Sequence, residues 1–255
     1  MYRQPVTGQS RDWRADLGRS ARLWRAFRQE QSDPDVFYGA LAQDSAHQVA
    51  TWHPLDGARM LDVGGGPGYF QDAFERSGAT YFAVDADAGE MRLHGRTPST
   101  RTVQARGDAL PFADESFDLT YSSNVLEHVQ HPWAMADDMV RVTKLGGTVV
   151  ISYTLWWGPW GGHETAPWHY LGGERAAARY FTRTGHQPKN RYGESLFAIT
   201  AAEGIRWGQS TPQAQLLAAI PRYLPRWAAP VTRVPVLREL VAWNLLLVLR
   251  RGGVT

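Results

Sequence analysis

His128, His163 and His169, with Glu127 and Glu164 beside them, are the side chains best suited to move a proton or hold a metal in this chain. Imidazole titrates near neutrality, so it serves as a general base or, when neutral, as a ligand of divalent metals. His163 and His169 fall in "WWGPWGGHETAPWHY", residues 156–170, a mixture that favours neither a regular helix nor a strand. The zinc-protease spacing H-E-x-x-H is not met, because Thr165, Ala166, Pro167 and Trp168 separate His163-Glu164 from His169. Pro167 would also break the helix that such a site requires. No metal is therefore assigned, and a cluster of Glu127, His128, His163 and Glu164 stands as an alternative. His128 is either a base or a helix-start histidine bonded to backbone, and Glu127 is expected as a first-turn residue favoured by the helix dipole.

A second chemistry-bearing stretch is "LDVGGGPGYF", residues 61–70. Glycines let a backbone approach a ligand closely and take up positive φ without strain. The dinucleotide fingerprint G-x-G-x-x-G needs a glycine where Tyr69 stands, and no G-K-S/T follows for a triphosphate loop. What is present is D-x-G-x-G-x-G, formed by Asp62, Gly64, Gly66 and Gly68, with Gly65 between them.

These groups need elements to position them. Residues 11–30 carry Trp13, Leu17, Ala21, Trp24 and Arg28 at helical spacing, and 32–52 repeat Phe37, Leu41 and Val49 after a Ser32 or Asp33 cap. Then "ARMLDV", "TYFAVDAD", "RTVQARGDA", "SFDLTYSSN" and "TVVISYT" read as strands. Helices lie between them, one with Phe70 and Phe74 stopping at Gly78, one with Met135, Met139 and Val142 stopping at Gly146-Gly147. Such alternation implies a parallel sheet covered on both faces, with ligands bound outside the carboxyl ends of its strands. The pattern lapses for residues 154–199 and resumes with a helix from Thr200, the strands "AQLLAAI" and "NLLLVLRR", and the helix "RVPVLRELVAW".

Three further segments join the glycine loop in a fixed order: "FAVDAD" with Asp85 and Ala86, "GDALPF" with Asp108 and Ala109, and "SSNVLEHV" with Ser123 and Asn124. Together, over residues 58–153, they resemble the class I S-adenosylmethionine-dependent methyltransferases. The continuation "SYT…GP.GGHE" is similar to that of uncharacterised small-molecule-type methyltransferases of actinobacteria. The resemblance implies a Rossmann-like α/β fold with a seven-stranded, mainly parallel sheet, and S-adenosyl-L-methionine as cofactor. Asp85 would accept from the ribose hydroxyls, Asp108 from the adenine amino group, and the Ala109 N–H would meet a ring nitrogen. Backbone around Ser123 and Asn124 would lie near the methionine end, and Tyr38 would reach the cofactor from the N-terminal helices. Relatives with a metal at a similar Glu-His pair often carry a second glutamate where this chain has Asn124.

One domain of 255 residues is expected: N-terminal helices over 1–57, a cofactor-binding core over 58–153, a substrate cap over 154–199, and final helices and strands over 200–255. The cap would present Tyr153, Trp156, Trp157 and Trp160 as apolar walls, with Tyr192, Arg222 and Tyr223 as further acceptor contacts. A loop packed on the core by its own tryptophans is the competing reading, and glycine and proline argue against a membrane-dipping helix there. The expected reaction is methyl transfer to an oxygen, less favourably a nitrogen, of a small molecule, with His128, His163 or His169 as base. A nicotinamide-dependent oxidoreductase and a non-catalytic binding protein are the alternatives. Cysteine is absent, which excludes disulfides and thiolate chemistry. The pI near 9.0 comes from arginine, with only Lys144 and Lys189 as lysines and a formal net charge of +2. Heavy arginine use of this kind follows coding bias more readily than nucleic-acid binding. With no apolar signal segment at the N-terminus and no run long enough to span a bilayer, the expectation is a soluble cytoplasmic protein without stable membrane insertion.

Overall fold

The computed structural model describes residues 14–29, 32–95 and 99–252, so Trp13 of the expected aromatic stripe lies outside the described residues. The chain starts with α1 (Leu17–Phe27) and α2 (Pro34–Ala50). The Asp16 carboxylate accepts the Arg19 N–H at 2.7 Å, and Asp33 does the same for Val36 with Pro34 in the first turn. Each thereby satisfies an N–H that the helix itself leaves open. Next come β1 (Arg59–Val63), α3 (Gln71–Arg76), β2 (Thr80–Asp85), β3 (Thr102–Gln104), β4 (Phe117–Ser123), α4 (Pro132–Val142) and β5 (Thr143–Thr154). The remainder is α5 (Gly173–Thr184), α6 (Ala201–Ser210), β6 (Ala214–Pro221), α7 (Leu237–Val241) and β7 (Asn244–Arg251).

Seven strands form one sheet in the order β3-β2-β1-β4-β5-β7-β6. The first five pair in parallel, and β7 runs antiparallel between β5 and β6. This is the expected Rossmann-like arrangement. Strand order reverses between β1 and β4, and at such a switch point the connections diverge and leave a crevice at the carboxyl edge. Side chains alternate across the sheet, so β7 sends Leu245, Leu247 and Leu249 into the layer with α4 and α6. Its Leu246 and Val248 enter the opposite layer with α1, α2 and α3. A strand apolar on both faces belongs in a sheet that helices cover on both sides.

Three expectations need correction. The stretch read as irregular contains α5, whose only buried residues are Gly173 and Ala176, too few to show an apolar period. β5 begins at Thr143, directly after α4, and carries the expected stop glycines inside it as an irregularity in its pairing with β4. The helix expected over 233–243 is reduced to α7, because Pro235 follows a short 3-10 segment and Val236 takes φ +67. Proline keeps its predecessor out of the helical region, so the longer helix is interrupted there.

Candidate active site

The glycine loop leaves β1 at Val63 and turns through positive φ at Gly64 (+81), Gly66 (+49) and Gly68 (+79). A Cβ on Gly64 would fall 2.4 Å from Val125 Cγ2, so the chain after β4 packs directly on the loop. A Cβ on Gly66 would meet nothing within 4 Å. The Gly66 N–H donates to Asp85 Oδ2 at 2.9 Å, and the Asp87 N–H donates to Asp85 Oδ1 at 2.9 Å. Burial raises the Asp85 pKa, against the pull of these two N–H groups. Beneath the loop, Asp62 is 2 % exposed and accepts from the Tyr81 hydroxyl at 2.5 Å. Burial pushes its carboxyl up to about 7, with the Tyr81 hydroxyl opposing the rise. Asp62 therefore ties the end of β1 to β2 beneath the loop. Tyr38 stacks on Tyr69 of the loop, with ring centroids 4.7 Å apart, bringing α2 to the cradle.

The end of β4 supplies a second group. A 3-10 turn, Leu126–His128, follows the left-handed Asn124. Glu127 is 1 % exposed; its Oε1 accepts the Thr154 N–H at 3.0 Å, while Oε2 is buried without a partner. His128 Nδ1 lies 2.7 Å from the Ser195 carbonyl oxygen, so Nδ1 carries the proton and Nε2 its lone pair. His163 heads the 3-10 turn His163–Thr165 at φ +48, and its ring centroid is 5.0 Å from that of His128. Burial, then the neighbouring His128, lowers the His163 pKa to about 4. Potential ligand atoms of Glu127, His128 and His163 all lie within 4.8 Å of one another. The arrangement can accept a proton at imidazole or bind a cation.

Comparison with known proteins decides the family. An uncharacterised methyltransferase of Mycolicibacterium gilvum is 54 % identical over 248 residues, covering 93 % of this chain and 96 % of the relative. The chain belongs to this methyltransferase family. A relative in Mycobacterium tuberculosis, also an uncharacterised methyltransferase, is 54 % identical over 245 residues, 92 % of this chain and 96 % of its own. The methyltransferase-domain family model matches residues 61–151. An S-adenosylmethionine-dependent methyltransferase of Mesorhizobium loti shares the fold at TM-score 0.53, with 21 % identity, over 82 % of this chain and 98 % of its own. The cyclase SpnF also shares the fold at TM-score 0.51, with 14 % identity, over 82 % of this chain and 81 % of its own. S-adenosylmethionine is the methyltransferase's cofactor. The open space above Gly66 and the acid at the end of β2 fit a nucleoside held against the loop. Membership sets aside the nicotinamide and non-catalytic alternatives.

Not every expected residue of the methyltransferase reaches the crevice. His169 is fully buried; its Nε2 donates to the Gly158 carbonyl at 3.1 Å and its ring packs on Trp156. It is a brace and not a base. Trp156 is 5 % exposed and Tyr153 fully buried; the Tyr153 hydroxyl donates to the Thr200 carbonyl at 3.0 Å. Both belong to the scaffold and not to an acceptor wall. Arg222, 1 % exposed, donates to Ser123 and Ser152 at 2.7 and 2.5 Å and to Ser45 and Tyr121 at 2.8 Å each. It ties the sheet to α2 and has no free face for an acceptor. Glu164 is exposed and receives Asn190 at 3.0 Å, outside the histidine cluster. Asp108 is gripped by Arg106 at 2.8 and 2.6 Å, a hydrogen bond that lowers its pKa. The Ala109 N–H closes a turn on the Arg106 carbonyl at 3.2 Å. A nucleobase would compete with both contacts.

Trp157 and Trp160 remain 41 % and 39 % exposed, as does Tyr192 at 41 %. Trp160 packs on Trp24 and Phe27 of α1 at 5.9 and 5.4 Å, joining the insertion to the N-terminal helices. Tyr223 sits 3.4 Å from Asn124 Nδ2, and Asn124 Oδ1 accepts from Asn244 at 2.7 Å. Ala86 is exposed beside Asp85, and its carbonyl accepts from Gln104. Of the four residues that the sequence offered as an alternative cluster, Glu127, His128 and His163 come together, and Glu164 does not. Among the described residues, no helix is long and apolar enough to cross a membrane.

Proposed function

We propose that the enzyme methylates an oxygen of a small-molecule acceptor held between the 154–199 insertion and the carboxyl edge of the sheet. The observation that carries this reading is the gathering of His128 and His163 beside Glu127, on the chain that packs against Gly64. S-adenosylmethionine, when bound, supplies an electrophilic methyl group on a sulfonium. The residues assigned to hold it are Gly64, Gly65, Gly66 and Gly68 in the cradle, with Asp85 and Ala86 at the ribose. Asp108 and Ala109 take the adenine, and Ser123, Asn124 and Tyr38 the methionine end.

For an oxygen acceptor the enzyme's work is to orient the hydroxyl and take its proton. His128 is suited to accept it at Nε2, because Ser195 fixes the proton on Nδ1. His163, neutral because burial holds its pKa near 4, offers a second lone pair. Trp157 and Trp160 supply apolar area, and Tyr192 and Tyr223 polar tips, which suits a planar or ring-shaped hydroxyl compound. The test supplies methyl-carbon-13 S-adenosylmethionine with panels of phenols, sugars and amines, and reads the product by NMR. A methoxy resonance that His128→Ala reduces by roughly 10²–10⁴ supports the reading. An N-methyl product, or full activity in His128→Ala, overturns it.

A further inference from the structure

We propose that Glu127, His128 and His163 bind one divalent metal ion of the zinc class, a site whose role in catalysis rests on the oxygen-acceptor reading above. The donors are two imidazoles and one carboxylate, and their potential ligand atoms lie within 4.8 Å of one another. In a tetrahedral zinc site with bonds of 2.0–2.1 Å, ligand atoms stand about 3.4 Å apart. A closure of that size needs side-chain rotation and no rearrangement of the fold.

Two of the three donors are already held from behind. The Thr154 N–H fixes Glu127 Oε1 at 3.0 Å, and the Glu127 main-chain oxygen takes the Phe197 N–H at 2.8 Å. That leaves Oε2 as the free ligand atom. His128 gives its Nδ1 proton to the Ser195 carbonyl at 2.7 Å. Metal-bound histidines are oriented in this manner, by donation from the ring nitrogen that does not bind. The third donor, His163 Nε2, is buried and unpartnered.

Two unpartnered atoms in one cluster are informative because a buried polar atom left without a partner costs roughly 1–3 kcal/mol. If the three residues formed an ordinary hydrogen-bonded triad, Glu127 Oε2 would accept an imidazole N–H, and it accepts none. A cation satisfies the carboxylate oxygen and both imidazole lone pairs together. Two nitrogens and one oxygen suit zinc, cobalt, nickel or ferrous iron; magnesium and calcium prefer all-oxygen shells. Three protein ligands leave one position open, as catalytic sites do, and an acceptor hydroxyl would take it. With the metal in place His128 Nε2 is a ligand, so the metal would lower the hydroxyl's pKa and its proton would leave to solvent instead of to His128.

The experiment uses the tag-free full chain, stripped with a chelator and dialysed. Zinc binding is measured by calorimetry, and cobalt binding by its visible absorption as a reporter of nitrogen and oxygen ligands. One equivalent per chain is expected, weakened roughly 100-fold or more by Glu127→Gln and by His163→Ala. His186→Ala, on an exposed histidine, should bind as the parent does. Circular dichroism and S-adenosylhomocysteine binding establish that each variant is folded. A folded parent without a stoichiometric site, or one whose affinity survives both substitutions, overturns the proposal. Metal binding with an N-methyl product would leave the site standing and remove the oxygen reading. A methoxy product from metal-free enzyme, with no zinc bound on titration, would remove the site and keep that reading.

Discussion

Gly64→Ala tests whether packing between the β1 and β4 connections shapes the cofactor cradle. The new methyl would sit 2.4 and 2.6 Å from the two γ carbons of Val125, on a backbone with φ +81. Left-handed backbone costs an alanine about 1–2 kcal/mol, and overfilling a packed contact about 1–3 kcal/mol. The variant should therefore lose about 2–5 kcal/mol, read by urea unfolding, and at least tenfold in S-adenosylhomocysteine affinity, read by calorimetry. Val125→Ala in the same chain removes the two closest contacts and leaves the backbone cost with a tight 3.0 Å approach to the residue-125 Cβ, so the double-mutant cycle should show a coupling of about 1–3 kcal/mol. Gly66→Ala is the contrast. Its φ is +49, but a methyl there meets nothing within 4 Å. Stability should fall by only about 1–2 kcal/mol, while the methyl projects into the space assigned to the cofactor and lowers affinity. Additive effects at Gly64 and Val125, within about 0.5 kcal/mol, or undiminished affinity in Gly66→Ala, would refute the reasoning.

Asp62 makes stability depend on pH. Its folded pKa of about 7 lies above the usual 3.8, so the folded chain holds the proton more tightly. The stabilisation is complete below pH 4 and is lost as pH rises through 7, a span of up to about 4 kcal/mol. Urea unfolding of Asp62→Asn at pH 4 and pH 8 should show the parent losing more stability than the variant; equal losses would contradict the raised pKa. Arg222→Met leaves the hydroxyls of Ser45, Tyr121, Ser123 and Ser152 without their shared donor. It should cost about 3 kcal/mol or more, seen as a lower melting temperature; an unchanged melting temperature would show that these groups re-pair among themselves. His169→Ala should lose about 2–3 kcal/mol by leaving a cavity and an unpaired Gly158 carbonyl. Turnover per folded molecule should be retained, and a 10²-fold loss of turnover with unchanged stability would restore His169 as a base.

The sheet was legible because its information is local. Each of β1, β2, β4 and β7 is a short apolar run next to its own turn, and the glycine loop announces the β1–α3 connection within ten residues, 61–70. What was misjudged depends on context. Gly146 and Gly147 resemble a helix stop, yet pairing with β4 draws them into β5. α5 shows only Gly173 and Ala176 to the interior, so packing and not periodicity holds it in place.

The site divides along the same line. Gly64, Gly66, Gly68 and Asp85 are legible as neighbours because each lies in a contiguous motif next to its own strand, and the Gly66 to Asp85 bond joins two of those motifs; their hold on the cofactor is proposed. Arg222 was misassigned because its four hydroxyl partners come from α2, β4 and β5, so nothing near it in sequence marks it as a buried hub. The aromatic insertion shows why composition alone misleads. Trp156 and His169 form an inner layer that faces the scaffold, while Trp157 and Trp160 stay on the outside, although all four share one stretch of residues. His163 lies between these layers, with its ring turned to His128 and its Nε2 unpartnered. The inner layer backs the segment that carries His163, since a Cβ on Gly162 would fall 2.5 Å from His169 Cβ; His169 contributes packing there, and the proton chemistry is assigned to His128 and His163.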